Sequence, residues 1–195
     1  MMKIVALSIL ALGLAAPVLA DPPLPASISP GSIVSAVSGL WDDTTGPDRA
    51  VLIDDPDHVA VDLAIYAGSG DAPNRHMQAI AFAHDIAASG TAPGTIAELR
   101  QTRDGKLIIH SEQTLGGRDQ WKQDMQLAYR NGHFVVAGLK ITAWDPMDAS
   151  AGGTCDLNYL SGKGTAGKAA TVTVSSGGVP VEAWTRKMIP NACVF

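Results

Sequence analysis

Met125-Gln126-Leu127-Ala128-Tyr129-Arg130-Asn131-Gly132-His133-Phe134-Val135-Val136-Ala137-Gly138-Leu139-Lys140-Ile141-Thr142-Ala143-Trp144 is the stretch whose local chemistry decides the fold. Asn131-Gly132 sits between two runs rich in aromatic and β-branched residues, and these two residue types accept positive φ at both central positions of a type I′ turn. The segment therefore reads as a β-hairpin. Two-residue closure pairs Tyr129 with Phe134 and Leu127 with Val136, giving one apolar face near the turn. Farther along, apolar residues move from the even positions Phe134 and Val136 to the odd positions Leu139, Ile141 and Ala143, which would face the other way in an unbroken strand. One extra residue at Ala137-Gly138 restores a single face, so a β-bulge is expected there, with Gly138 tolerating the unusual backbone.

Working outward, Thr95–Thr102 and Leu107–Ser111 flank Asp104-Gly105, a second I′-type signal and a second expected hairpin. Val59 to Tyr66 alternates as a half-buried strand, and Ala50–Ile53 is a short strand. Met77–Ala88 carries both periods and is read as a strand. Ile33, Val34, Val37, Leu40 and Trp41 recur at helical spacing behind Ser32, which predicts a short helix. After the central hairpin, 145–154 reads as a loop of small and polar residues, and 156–160, 169–174 and 181–184 read as short strands. Turn signals at this frequency predict an all-β domain over 33–195, a single antiparallel β-sandwich or partly open barrel built from hairpins.

At the start, Lys3, the apolar run Ile4 to Leu14, and small residues Val18 and Ala20 before Asp21 have the pattern of a signal peptide over 1–20, cut after Ala20. Residues 21–32, with Pro22, Pro23, Pro25 and Pro30, read as an extended leader. The expectation is a soluble periplasmic or secreted protein without membrane insertion after cleavage. Net charge is −5, one unit more negative once Lys3 leaves, and the basic residues are scattered, which argues against nucleic acid or anionic lipid as partner. Cys155 and Cys193 are the only cysteines, and in an oxidising compartment the expectation is one disulfide that pins the C-terminal segment. Its chain-entropy contribution is roughly 3 to 4 kcal/mol.

Few residues carry chemistry. Asp54, Asp55 and Asp57 around Pro56 form a weak Ca²⁺ candidate, although a solvated acidic turn explains them better. His58, His76, His84, His110 and His133 lack zinc-site spacing, and no cofactor is expected. His110, Ser111 and Glu112 are neighbours, but alternate strand residues point to opposite faces. Arg118 and Trp121 suggest a surface cation stacked on an indole. Ser161-Gly162-Lys163-Gly164-Thr165 departs from the Walker pattern and reads as a flexible hairpin loop presenting one cation, with Ser161, Lys163 and Thr165 as candidate binding residues.

Phe134-Val135-Val136-Ala137-Gly138 followed by Cys155-Asp156-Leu157-Asn158-Tyr159-Leu160-Ser161-Gly162-Lys163-Gly164 resembles a group of small exported bacterial proteins of unassigned function. More distantly, the Ser-Gly and Lys-Gly pairs resemble loop motifs of periplasmic lysozyme inhibitors, though here they are adjacent. The expected function is that of a non-catalytic envelope binding or structural module. The alternative that the second resemblance implies is an inhibitor of a lysozyme-like cell-wall hydrolase, with another periplasmic or secreted protein as its partner.

Overall fold

A computed structural model describes residues 28–54, 59–68, 78–89, 94–115, 117–167 and 170–194. The signal peptide, most of the proline-rich leader, and Asp55 and Asp57 of the acidic turn lie outside them.

The central hairpin forms as its chemistry dictates. β7 (Gln120–Arg130) and β8 (His133–Asp145) close through Asn131 at φ 52° and Gly132 at φ 85°, the two positive values that a I′ turn requires. Tyr129 faces Phe134 and Leu127 faces Val136. Gln126 then pairs with Gly138, so Ala137 is the extra residue and the bulge lies where the phase slip placed it. As a result Leu127, Met125 and Leu139 all enter one buried face.

An eight-stranded antiparallel sheet grows from this hairpin. β5 (Thr95–Gln101) and β6 (Leu107–Gln113) lie on one side, and β9 (Asp148–Asn158), β10 (Lys163–Ala166) and β11 (Ala170–Thr173) on the other. β12 (Val179–Pro180) pairs with β8 opposite Val136 and Val135. A second antiparallel sheet holds β1 (Ile33–Gly39), β2 (Gly46–Asp54), β3 (Ala60–Gly68) and β4 (Gln78–Ala88), in that order. The two sheets stack as an open sandwich and not as a closed barrel. Leu52, Leu63, Ile65, Ala83 and Ile86 from the smaller sheet meet Leu99, Ile109, Met125, Leu139 and Leu157 from the larger. At one edge the Leu99 amide donates to Ser35 Oγ at 2.9 Å, which ties β5 to β1.

Several segments differ from the sequence-based expectation. Residues 33–39 are a strand and not a helix: Ile33 and Val34 stay exposed, and pairing with β2 favours extended backbone at β-branched positions. The Pro30–Ser32 turn is the only helical backbone before it among the described residues. The expected loop 145–154 is mostly β9, because β8 supplies backbone partners that small side chains do not advertise. Val181–Ala183 is a 3-10 turn, and the strand pairing falls instead at Val179–Pro180. The β5–β6 hairpin exists, but only Gly105 (φ 82°) among its loop residues has positive φ, and Gly105 N–H donates to Thr102 O. This is a type I turn with a following left-handed glycine and not I′.

Two buried carboxylates organise the smaller sheet. Asp48 is fully buried and accepts from three backbone amides, those of Trp41 (2.8 Å), Asp42 (3.1 Å) and Gly68 (3.2 Å). Asp62 sits opposite an irregularity in β4, accepting from the Asp85 amide at 3.0 Å while His84 Nδ1 lies 3.1 Å from its other oxygen. Those contacts hold Asp85 at φ 50°.

Candidate functional site

One face of the larger sheet runs out of the core as it is followed along β7, β8 and β9. Met125, Leu139 and Leu157 are buried under the smaller sheet. The next positions on that face are Gln123, Ile141 and Cys155, and the next Trp121, Ala143 and Gly153. Gln123, Trp121, Ile141 and Ala143 are only partly buried.

Here the C-terminal segment, with Arg186, Ile189, Cys193 and Val194, stands beside the sheet as a wall. Cys193 is joined to Cys155 by a disulfide, Cα atoms 5.4 Å apart, so the wall is fastened to the floor. The bridge expected from the sequence is present, but Cys155 lies within β9 and not in a loop. The space enclosed is a cleft of about 330 Å³, at the lower end of the ~300–1,000 Å³ range of small-molecule sites.

Trp121 and Gln123 stand on the cleft floor, whereas Trp144 and Gln120, which pair with each other across β7 and β8 and alternate onto the other face, border it. The Gln123 side-chain amide has no hydrogen-bond partner among the described residues, whereas Gln120 Nε2 reaches Gly117 O at 3.4 Å. At the rim Arg118 donates through Nε (2.7 Å) and its terminal nitrogen (2.6 Å) to one oxygen of Asp145. The other oxygen of Asp145 accepts from the Met147 amide at 2.8 Å. The hydrogen bond from Arg118 is the main reason that the Asp145 carboxyl is held below the usual carboxylate range, and the same bond raises the guanidinium in turn. Arg118 is thus engaged by Asp145, which replaces the expected stacking on an indole as its role. Gly152, also in the lining, has φ 96°, and a Cβ there would stand 2.2 Å from Ala143 O, so the close backbone approach of β9 to β8 requires glycine.

The residues singled out in the sequence lie elsewhere. Lys163 and Thr165 belong to strand β10, and only Ser161 and Gly162 lie in the turn, so the flexible loop expected over 161–165 is largely paired backbone between β9 and β11. The Ser161 amide donates to Asn158 Oδ1 at 2.9 Å. Lys163 is exposed in a row with Asn158 and Gly138, on the opposite face of the sheet from the cleft floor. Asp54 is an exposed strand end that accepts from Ser89 Oγ at 3.3 Å, and no group of three or more potential metal-ligating side chains occurs among the described residues.

His110 is buried on the outer face between Asp124 (Nδ1 to Oδ1, 2.6 Å) and Glu112 (Nε2 to Oε2, 3.2 Å). Ser111 Oγ is buried on the other face without a partner, so the sheet itself separates that hydroxyl from the imidazole.

The chain matches no protein-family model, no curated protein and no solved structure.

Proposed function

We propose that the chain is a non-catalytic binding module, exported to the periplasm or beyond once residues 1–20 are removed, and that its ligand enters the cleft between β7–β9 and the C-terminal wall. One observation carries this reading: the partly exposed Trp121 and an unengaged Gln123 amide share a cleft whose floor and wall are joined by a disulfide. Preorganisation of this kind lowers the ordering cost of binding. The Gln123 amide, still open to solvent, can exchange its water for the hydrogen-bonding groups of a ligand.

The test is a thermal-shift screen of the purified exported protein against neutral sugars, amino acids, dicarboxylates and fatty acids, with Trp121→Ala alongside. At least one class should raise the melting temperature in a concentration-dependent manner in wild type and not in the variant. Absence of any shift across all classes, an equal shift in the variant, or turnover of a hit compound by wild type would each reject the reading. Export is checked by intact mass of the secreted material: Asp21 as the first residue supports it, and a retained Met1 refutes it.

A further inference from the structure

Resting on the cleft as the binding site, we infer that the ligand is a neutral oligosaccharide. The charged groups of the lining are Arg118, Asp119, Asp145 and Arg186, two of each sign, with Arg118 and Asp145 already paired. No net field is left to select an anion or a cation.

The remaining surface is amphipathic in a specific way. The Trp121 indole offers flat apolar area suited to the C–H face of a pyranose, and the Gln123 amide presents a donor and an acceptor side by side, as vicinal hydroxyls require. The described geometry disfavours two other ligand classes. An extended peptide binds by adding a strand to a free edge, but the cleft floor on β7 and β8 is interior sheet paired on both sides, and the stretch of β9 that precedes its pairing with β10 at Cys155 lies at the side of that floor. A fatty chain needs a continuous apolar channel, whereas this cleft is small and carries four charges among its lining residues.

Intrinsic tryptophan fluorescence of the purified exported protein, titrated with maltotriose, cellotriose and N-acetylated chitotriose, tests the inference, with trialanine and hexanoate in parallel. At least one trisaccharide should give a saturable change, with an affinity that does not move between low and high salt. Trp121→Ala should weaken it at least tenfold. Gln123→Leu, which keeps the bulk of a side chain on the cleft floor, should weaken it about tenfold, and Lys163→Ala on the opposite face should leave it unchanged. Saturation by hexanoate or trialanine alone would overturn the sugar assignment while leaving a binding cleft. Silence from every probe would overturn the assignment together with the reading beneath it, and trisaccharide binding indifferent to both cleft variants would place the site elsewhere and end the inference.

Discussion

Replacing Asp48 by alanine should be among the most damaging single changes outside the hydrophobic core. The side chain is fully buried and serves three amides. Alanine leaves the buried Gly68 N–H without an acceptor, which costs about 2 kcal/mol, and the part-buried amides of Trp41 and Asp42 about 1 kcal/mol each. Relief from burying the carboxylate offsets a part, so the expected loss is about 3 kcal/mol. In a domain of this size that corresponds to roughly a 6–12 °C fall in melting temperature. Asp54→Ala, which removes one 3.3 Å bond at an exposed strand end, is the matched control and should stay within about 0.5 kcal/mol. Urea unfolding monitored by circular dichroism measures both. A loss below about 1 kcal/mol for Asp48→Ala, or equality of the two variants, would refute the view that this carboxylate organises the end of the smaller sheet.

Three other outcomes follow from the same structure. Burial pushes the Tyr159 hydroxyl up to about 12, above its ordinary value near 10, so the unfolded chain ionises first. Stability should be unaffected below about pH 10 and fall between about pH 10 and 12 by up to roughly 2–3 kcal/mol, and pH-dependent urea titrations should show this slope flattened in Tyr159→Phe. A Cys155→Ser/Cys193→Ser double variant should lose about 2–5 kcal/mol in the same unfolding assay, and it should weaken any cleft ligand because the wall is no longer fastened. Asn131→Ala, at φ 52°, should lose about 1–2 kcal/mol, with Gly132 unchanged beside it; a loss below about 0.5 kcal/mol would mean that the turn does not govern the hairpin.

Asn131-Gly132 was readable as a hairpin because the backbone of a I′ turn admits few residue types. The bulge at Ala137 was readable because a period of two makes any slip visible as a change of face. The same reasoning failed over 33–39, where helical spacing of apolar residues coincided with an edge strand. Ile33 there pairs with Ile53, Val34 falls in the register shift that follows it, and both bury little. It failed again over 148–154, since a strand of Ala, Ser, Gly and Thr has no side-chain pattern and is held by its neighbours. Cys155 and Cys193 could be paired from the sequence only because no other cysteine competes.

The cleft was not legible as a unit. Its residues come from three separated segments, around Trp121, Trp144 and Ile189, and nothing in the chain orders them until the sheet and the disulfide bring them together. Arg118 and Trp121 stand close together in the sequence, but the Asp145 that engages the guanidinium is at the far end of β8. Lys163, conspicuous between two glycines, is a strand residue on the far face.

Entry of a ligand between β7–β9 and the C-terminal wall can be followed through the indole N–H resonances of the four tryptophans. Trp121 stands on the cleft floor and Trp144 borders the cleft, while the indole nitrogens of Trp41 and Trp184 are buried and outside its lining. On titration with whichever trisaccharide saturates the fluorescence signal, the Trp121 cross-peak should move to a saturating end point while those of Trp41 and Trp184 hold still. Movement confined to Trp41 or Trp184, or saturable binding that leaves all four unmoved, would contradict the account.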